Sequence, residues 1–495
     1  MSNIVPRTYR AGTLTYTKGA LVILFGWLLW GDFCFILMET VVPSLMPLKF
    51  KSLGAPNTII ALVITTIPGV INAVLNPVIS FRSDRYRSRW GRRIPFIVVT
   101  LPFLVLCLVG LAFGDRIGFR LHGQFAGLLG RFSPNAVAIA IVGTVMALFS
   151  FFNTFVNSVF WYLFNDVVPE HLLARFMSWF RMVSMGAGGL YNLVLFKHAG
   201  THSTEILAGV GILYFFGFGL MCLNVREGEY PPAPEYADGE VGIVAAIKTY
   251  CRECLGLSHY WFAFLASAGV AVAVSGSIFS IFFLQSIGLT LGMVGKLAFA
   301  GSVSGAISIP IFGTLADRIH PIRIVIAGVA LQILTSPIYL EWLFWQPSPN
   351  VVFHVLLASG ICLGAPIAAM ISMMDPPLFM RIFPRGRYGQ FCSANSMIRS
   401  VATIVAGVLV GGYLDVLTAL FGPRTAYCCL PLWSLASYAA VLFCMIRLYR
   451  SWKQHGGDES YAPPIPSPSG SGIVVEPPVE AYETDGNRDV SSPVS

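Results

Sequence analysis

Two stretches of the sequence have the same form. One reads PVISFRSDR at residues 77–85, and the other reads PIFGTLADR at residues 310–318. A proline and an Asp-Arg pair stand at the same spacing in both, and the copies start 233 residues apart (310 minus 77). Each copy ends a long apolar run. The repeat therefore predicts a duplicated unit, and transporters built from such repeats place the substrate site between the two copies.

The composition indicates that both copies lie in a membrane. Hydrophobic residues make up 55% of the 495-residue chain and charged residues 11%, and the mean hydropathy is +0.71. A soluble domain has about 25% charged residues, so these values exclude a soluble enzyme, a disordered protein and a secreted disulfide scaffold. The apolar runs are continuous, which favours helices over an alternating β-barrel. About 20 apolar residues span a bilayer, and twelve runs qualify: 19–46, 58–80, 95–113, 136–164, 177–197, 206–224, 258–284, 293–316, 322–344, 351–374, 391–413 and 426–446.

The polar segments divide the chain into five parts. We predict an N-terminal segment (1–18), a six-helix bundle (19–225), a polar central linker (226–257), a second six-helix bundle (258–450) and a tail (451–495). The tail is rich in Pro, Ser and Gly without periodicity, so we expect it to be disordered.

The positive charge indicates orientation. Most of the 32 Lys and Arg residues fall in the loops that share one side with both ends and the linker. Because such loops remain in the cytoplasm, we expect a multi-pass protein of the plasma membrane with both termini cytoplasmic. The net charge of +8 then reflects orientation and lipid headgroups, and no nucleic-acid partner is expected.

The loop after the second span resembles a known family. It reads SDRYRSRWGRRIPF at residues 83–96, which is similar to the Gly-x-x-x-Asp-Arg-x-Gly-Arg-Arg motif of the major facilitator superfamily with a longer gap. This version resembles the glycoside-pentoside-hexuronide cation symporters and the related sucrose–proton symporters. The first span, with GDFCF at residues 31–35, is similar to the sucrose type. The resemblance covers nearly all of residues 19–450 and implies a twelve-helix fold of two pseudo-symmetric bundles and sugar transport.

Four charged residues interrupt the spans: Asp32, Glu39, Arg181 and Arg399. A charge at the bilayer centre costs about 2.5–3.5 kcal/mol on insertion scales and needs a partner or a cavity. We predict that Asp32, Arg181 and Arg399 contact substrate, and that Asp32 and Glu39 carry protons. The alternatives are that Arg181 extends to the surface and that Glu39 is solvated near the outer side.

A polar stripe on the fourth span supplies further substrate candidates. Asn153, Asn157 and Trp161 follow at intervals of four. Amides bind hydroxyl groups, and an aromatic face packs on a sugar ring, so we predict Asn157 and Trp161 as substrate ligands. The resemblance supports this, since glycoside symporters carry Asp-x-x-x-Trp here. The alternative is an interfacial tryptophan with amides bonded to neighbouring helices.

The second span bears on the coupling ion. Sodium-coupled glycoside symporters carry Asp-x-x-x-Asp-Pro there, whereas this chain has Asn72 and Asn76 before Pro77. Two neutral amides make a weak sodium site. We therefore expect protons as the coupling ion, with no metal and no cofactor.

The repeated loops predict a gate. Acids at the helix ends among arginines can pair across the closed side of a transporter. We expect a cytoplasmic gate formed by Asp84, Arg85, Arg92, Arg93, Asp317 and Arg318. The alternative is that the basic residues only anchor the protein to the membrane surface.

These observations predict a monomeric proton-coupled transporter of a sugar or glycoside within the lipid bilayer. Two alternatives remain. Relatives with this loop also move amphipathic, lipid-like substrates, and phenylalanines on the fourth span suit such a ligand. A membrane sensor without transport is the other alternative. The spans hold no HExxH, GxSxG or P-loop motif, so we do not expect an enzyme, and the cysteines, mostly within apolar runs, are not expected to form disulfides.

Overall fold

Helices account for nearly all of the chain that the structure describes. This computed structural model describes residues 9–11, 13–228, 254–384, 388–466 and 473–475. Over those residues twelve long helices follow one another, several interrupted by a 3-10 or π-helical turn. They are α1 (Lys18–Ser52), α2 (Asn57–Ala61, Leu62–Thr66 and Ile67–Arg85), α3 (Ile94–Gln124), α4 (Pro134–Val167), α5 (Glu170–Leu190, then Tyr191–Leu195), α6 (Ser203–Leu213, Tyr214–Phe218 and Gly219–Asn224), α7 (Ser258–Ser275, Gly276–Phe279 and Ser280–Ser286), α8 (Leu291–Arg318), α9 (Pro321–Thr335, Pro337–Leu340 and Glu341–Leu343), α10 (Pro349–Ser359, Gly360–Gly364, Ala365–Ser372, then Met374–Leu378 and Phe379–Ile382), α11 (Tyr388–Phe421) and α12 (Pro423–Cys428 and Leu430–Gln454).

The prediction of an all-helical fold with two groups of six spans is confirmed. Within the described residues eleven helices are long and apolar enough to cross a membrane. The remaining one, α5, carries Arg175 and Arg181. Several helices run beyond the predicted spans: α3 ends at Gln124 and α11 at Phe421, where we expected 113 and 413.

The helix ends define two faces of the molecule. We call the face that holds the start of α1 and the end of α12 the linker face, and the face that holds the end of α1 and the start of α2 the distal face. One hydrophobic core runs through the N-terminal half and continues into the distal ends of the other half, at Phe279, Val410, Leu414 and Tyr427. The linker-face end of the C-terminal half has a separate core, which includes Tyr260, Phe383, Phe391 and Met445. The halves are thus joined at the distal face, and the cleft between them opens toward the linker face.

Hydrogen bonds close the distal end of the cleft between α2 and α11. The carboxylate of Asp415 accepts from the backbone N–H of Asn57 at 2.8 Å, from the N–H of Thr58 at 2.8 Å and from the Thr58 hydroxyl at 2.6 Å. The Tyr427 hydroxyl donates to the Asn57 side-chain oxygen at 2.7 Å. Since a carboxylate satisfies the free N–H groups at a helix start, Asp415 caps α2 from the opposite half. We call this contact the distal latch.

Glycines allow the helices of the two halves to touch. A Cβ on Gly411 would lie 2.6 Å from the Cα of Thr58, and a Cβ on Gly295 would lie 2.1 Å from the carbonyl oxygen of Asn192. Both distances are too short for any side chain. Gly411 therefore fits α11 against α2, and Gly295 fits α8 against the end of α5.

The expectation of a disordered tail from residue 451 is wrong for its first part. After α12 comes a helical turn at Gly457–Ser460, and strands at Pro464–Pro466 and Ile473–Val475 pair with each other. The Tyr461 hydroxyl donates to the carbonyl of Ile382 at 2.9 Å, and the Tyr260 hydroxyl donates to the carbonyl of Pro464 at 2.8 Å. These hydrogen bonds hold the segment against the ends of α7 and α10, a long-range effect that composition cannot reveal.

The other polar segments are described in part. Strands Tyr9–Ala11 and Leu14–Tyr16 form a hairpin before α1, within the predicted N-terminal segment. The predicted central linker (226–257) lies mostly outside the described residues. At its start, Glu227 accepts from the backbone N–H groups of Arg92, Arg93 and Ile94 at 2.6–3.1 Å, so it caps α3.

Candidate functional site

Asp32 lies inside the N-terminal half with one free oxygen. It stands near the middle of α1 and is 0% exposed. Its Oδ2 accepts from the Ser184 hydroxyl of α5 at 2.8 Å, and its Oδ1 has no partner among the described residues. An unpaired buried carboxylate oxygen costs free energy unless it takes up a proton or a ligand donor. Asp32 is therefore a carboxylate whose state can change.

Arg181 lies beside Asp32 on the side that faces the opposite half. It is one turn before Ser184 on α5, and its charge acts on the Asp32 carboxylate. Met185, one turn further on the same face, is next to Gly305 of α8. The exposed Arg181 thus stands where the contact between α5 and α8 ends and the cleft begins.

Glu39 and Asn153 form a second polar contact in the N-terminal half. The Asn153 amide donates to the Glu39 carboxylate at 2.5 Å, from α4 to α1, while the Asn153 Oδ1 has no described partner. Glu39 lies two turns nearer the distal face than Asp32, about 10 Å along the helix. The Glu39 carboxylate is hydrogen-bonded between α4 and α1, whereas the alternative was a Glu39 solvated near the outer side.

Asn157 and Trp161 hydrogen-bond to each other. The Trp161 indole N–H donates to the Asn157 Oδ1 at 3.1 Å, and the indole packs against Phe180 with ring centroids 5.1 Å apart. Trp161 is 36% exposed, so part of its face is open. On α2, Asn76 accepts from the Ser158 hydroxyl at 2.7 Å. The side-chain amide of Asn76 therefore forms a hydrogen bond within the N-terminal bundle.

Arg399 has a partner that the sequence analysis missed. Its Nη1 donates to the Oδ2 of Asp375 at 2.5 Å, and the side chains are 46% and 37% exposed. Asp375 lies just past the predicted end of the tenth span at 374. Extending that span by one turn, to the acid before Pro376-Pro377, is the signal that could have found it.

Arg399 and Arg181 each precede a contact between the two halves. Gly407, two turns after Arg399 on α11, meets Thr66 of α2, just as Met185 meets Gly305 between α5 and α8. Each arginine therefore lies on a helix that contacts the opposite half, on the linker-face side of that contact. The structure places Arg181 near Asp32, and hydrogen bonds join Glu39 with Asn153, Asn157 with Trp161 and Arg399 with Asp375.

The predicted gate residues lie at the linker face. Arg92 and Arg93 bind Asp166 at the end of α4, at 2.5 and 3.1 Å, within the N-terminal half. Asp317 and Arg318 are exposed at the end of α8. The side chains of Asp84 and Arg85 lie outside the described residues. With the cleft open at this face, a latch between the halves stays a prediction for the closed state.

Comparisons with known proteins agree with this architecture. The sequence matches the profile of the Major Facilitator Superfamily over residues 28–407. It is 32% identical over 142 residues to solute carrier family 45 member 4 from Homo sapiens, covering 28% of this chain. The chain thus spans 17% of the length of that curated relative.

Solved transporters share the fold. A mutant of the nucleoside transporter NupG is 14% identical with a TM-score of 0.62, over 87% of this chain and 100% of that chain. A bacterial homologue of the human lysosomal transporter Spinster, inward-facing and unoccupied, is 13% identical with a TM-score of 0.62, over 88% and 99%. A bacterial homologue of the iron transporter ferroportin, inward-facing, is 17% identical with a TM-score of 0.62, over 86% and 99%. At these identities the likeness shows the fold alone.

Proposed function

The chain belongs to the major facilitator superfamily of secondary transporters, and we propose that it moves a sugar or glycoside together with protons. The two halves rock about a central site, so the site opens to one face at a time. The structure has the distal face closed and the linker face open. We propose that the linker face is cytoplasmic, in the plasma membrane, and that the monomer is the transporting unit.

The observation that carries the proposal is the state of Asp32. It is fully buried, has one hydroxyl partner and keeps one oxygen unpaired. The unpaired oxygen can take up a proton, and the positive charge of Arg181 acts on the same carboxylate. A substrate hydroxyl that binds Arg181 weakens the arginine's effect on Asp32 and raises its proton affinity. Substrate and proton then bind together, which is the requirement for symport.

The chemistry around Asp32 supports a neutral, hydroxyl-bearing substrate. Arg181 supplies donors, Asp32 supplies an acceptor, and the exposed face of Trp161 supplies an aromatic surface for the apolar side of a ring. The resemblance of the first span and of the loop after α2 to sucrose–proton symporters favours the same class.

The choice of the proton over sodium as the coupling ion rests on the absence of two carboxylates from α2. Asn72 and Asn76 replace the carboxylates that hold sodium in the sodium-coupled relatives, and Asn76 is bonded to Ser158. Sodium prefers charged oxygen ligands. Asp32 and Glu39 remain as the acids that can take up protons in the N-terminal half.

One observation favours a second candidate, an amphipathic substrate. A cavity of about 330 Å³ lies between α3 and α4 beside the end of α2, and its walls are almost entirely apolar. Five phenylalanines line it: Phe96, Phe103, Phe151, Phe152 and Phe155. An acyl chain fits such walls. The cavity contains none of the charged residues of the Asp32 site, so we favour the sugar.

Counterflow in proteoliposomes tests the substrate. Purified protein is loaded with one unlabelled compound and mixed with the same labelled compound, across glucose, sucrose, maltose and a lysophospholipid. We expect transient accumulation with at least one sugar and none with the lysophospholipid. Accumulation of the lysophospholipid alone would support the second candidate and reject the sugar.

A further inference from the structure

A cavity at the distal face belongs to the C-terminal half alone. It measures about 230 Å³ and lies where the end of α7, the connection from α9 to α10 and the start of α12 meet. Its walls include Arg424 and two tryptophans, Trp342 and Trp345, and we call it the distal pocket. None of the residues assigned above to the substrate site or to the gate lines it.

Arg424 gives the distal pocket a positive charge without a charged partner. It is half-buried at the start of α12. Its Nε donates to the carbonyl of Ser286 at 3.4 Å, and its terminal nitrogens donate to the side-chain oxygen of Gln346, at 2.9 Å from Nη2. Both acceptors are neutral, and no carboxylate in the described part of the chain pairs with Arg424. A charge held partly away from water needs compensation, so the pocket favours an anion.

The two tryptophans give the pocket a flat apolar side. Trp342 and Trp345 are stacked, with ring centroids 6.1 Å apart and an angle of 15° between the planes. Trp342 is 1% exposed, whereas Trp345 is 55% exposed and leaves part of its face open. Pro347 and Pro349 extend the same wall. An anion that fits this pocket therefore carries a small apolar body.

The distal pocket lies directly behind the distal latch. Arg424 is three residues before Tyr427 in the same helical segment, Pro423–Cys428, and the Tyr427 hydroxyl donates to Asn57 of the opposite half. Phe282, one turn before Ser286 on α7, packs against Tyr427 with ring centroids 5.4 Å apart. A ligand that joins Arg424 to the connection from α9 to α10 would therefore fix the segment that carries Tyr427.

We propose that the distal pocket binds a small organic carboxylate from the distal side of the membrane, and that the bound carboxylate strengthens the distal latch. The carboxylate pairs with the planar guanidinium of Arg424, and the apolar body lies on the indole of Trp345. Drug-sized ligands occupy about 300–1,000 Å³, so a cavity of about 230 Å³ takes a smaller molecule. Since coupling between sites is reciprocal, a ligand that prefers the closed latch makes opening at the distal face rarer. The inference does not depend on which substrate is transported.

Equilibrium binding of labelled benzoate to the protein in phosphatidylcholine nanodiscs tests the site. Benzoate carries one carboxylate on a flat ring. Arg424→Gln is compared with Arg116→Gln, a matched control because Arg116 lies toward the distal end of α3, is stacked on Phe113 and does not line the pocket. We expect saturable binding in wild type that Arg424→Gln weakens about tenfold or more, as for the loss of a charge-assisted hydrogen bond, and that Arg116→Gln leaves unchanged.

Three results would overturn this assignment. They are a wild type that does not bind benzoate, an Arg424→Gln variant that folds and binds benzoate as wild type does, and inorganic phosphate that displaces benzoate at equal concentration. The last result would show a site for any small anion and not for a carboxylate with an apolar body. Melting temperatures check that the variants fold.

Maleimide labelling of Thr65→Cys measures the coupling to the distal latch. Thr65 lies beside Gly407 in the contact between α2 and α11, and the protein that keeps Thr65 corrects for labelling of the native cysteines. We expect benzoate to slow labelling about twofold or more, and to have no effect once Arg424→Gln is added. If benzoate binds and labelling is unchanged, the pocket is not coupled to the latch and that part of the inference is wrong. Neither measurement involves transport, so its failure is distinct from a failure of the proposed function.

Discussion

The acids of the two halves differ in the kind of partner they contact. In the N-terminal half Asp32 is fully buried with a hydroxyl partner and an unpaired oxygen. In the C-terminal half Asp375 is 37% exposed and pairs directly with Arg399. An acid without a charged partner in contact can take up a proton without breaking an ion pair, whereas a proton on Asp375 would break its pair with Arg399. From this comparison we propose that the N-terminal half carries the coupling proton, and that Arg399 of the C-terminal half contacts substrate together with the residues around Asp32.

The largest effect is expected at Asp32. Asp32→Asn cannot take up a proton, so uphill accumulation and its pH dependence should be lost, while downhill exchange persists. Uptake with and without a proton gradient measures this. Ser184→Ala, which keeps the carboxylate, serves as the milder comparison. If exchange is lost as well, Asp32 is also a substrate ligand, and Glu39 becomes the better candidate for the proton.

A double-mutant cycle at Asp375 and Arg399 tests the role of the ion pair in the C-terminal half. Arg399→Gln leaves Asp375 unpaired, so we expect exchange to fall about tenfold or more. Asp375→Asn/Arg399→Gln should recover part of that loss, because neighbouring charges in one pair are not additive. Proton coupling should remain in every variant that transports. If Asp375→Asn lost proton coupling but kept exchange, Asp375 rather than Asp32 would carry the coupling proton.

The fold could be read from the sequence, and the site only in part. Continuous apolar runs and the repeated PVISFRSDR and PIFGTLADR stretches predict twelve helices in two halves, because span length is set by the bilayer. Asp32 and Arg181 were found since charges inside spans are costly. Asp375 and Asp415 were missed because each lies just beyond a predicted span end, where nothing local indicates a partner 24 or 357 residues away.

A substitution in the distal latch is expected to have an effect of intermediate size. Asp415→Asn weakens the cap on α2, and a charge-assisted hydrogen bond contributes about 1.5–3 kcal/mol. We expect the population open at the distal face to rise about tenfold or more. Maleimide labelling of a cysteine introduced at Thr65, beside Gly407 in the contact between α2 and α11, measures this opening. Unchanged labelling in Asp415→Asn would show that the apolar contacts alone hold the face closed.

The smallest effect is expected at the linker-face gate. Asp317→Asn and Asp84→Asn should slow exchange about two- to fivefold, as expected if each acid forms a single charge pair at the protein surface in the closed state, and leave substrate affinity nearly intact. Exchange rates and equilibrium binding are compared in the same membranes. A variant that loses binding while its exchange rate per bound substrate stays normal would contradict a gating role.

Substrate-induced current on a solid-supported membrane tests proton coupling through the buried acid most directly. The current is recorded for wild type and Asp32→Asn with sucrose, at acidic and at neutral pH, with and without sodium. We predict an inward positive current in wild type that grows at acidic pH, is indifferent to sodium and is absent in Asp32→Asn. A current that requires sodium and ignores pH, or one that survives in Asp32→Asn, would contradict the account.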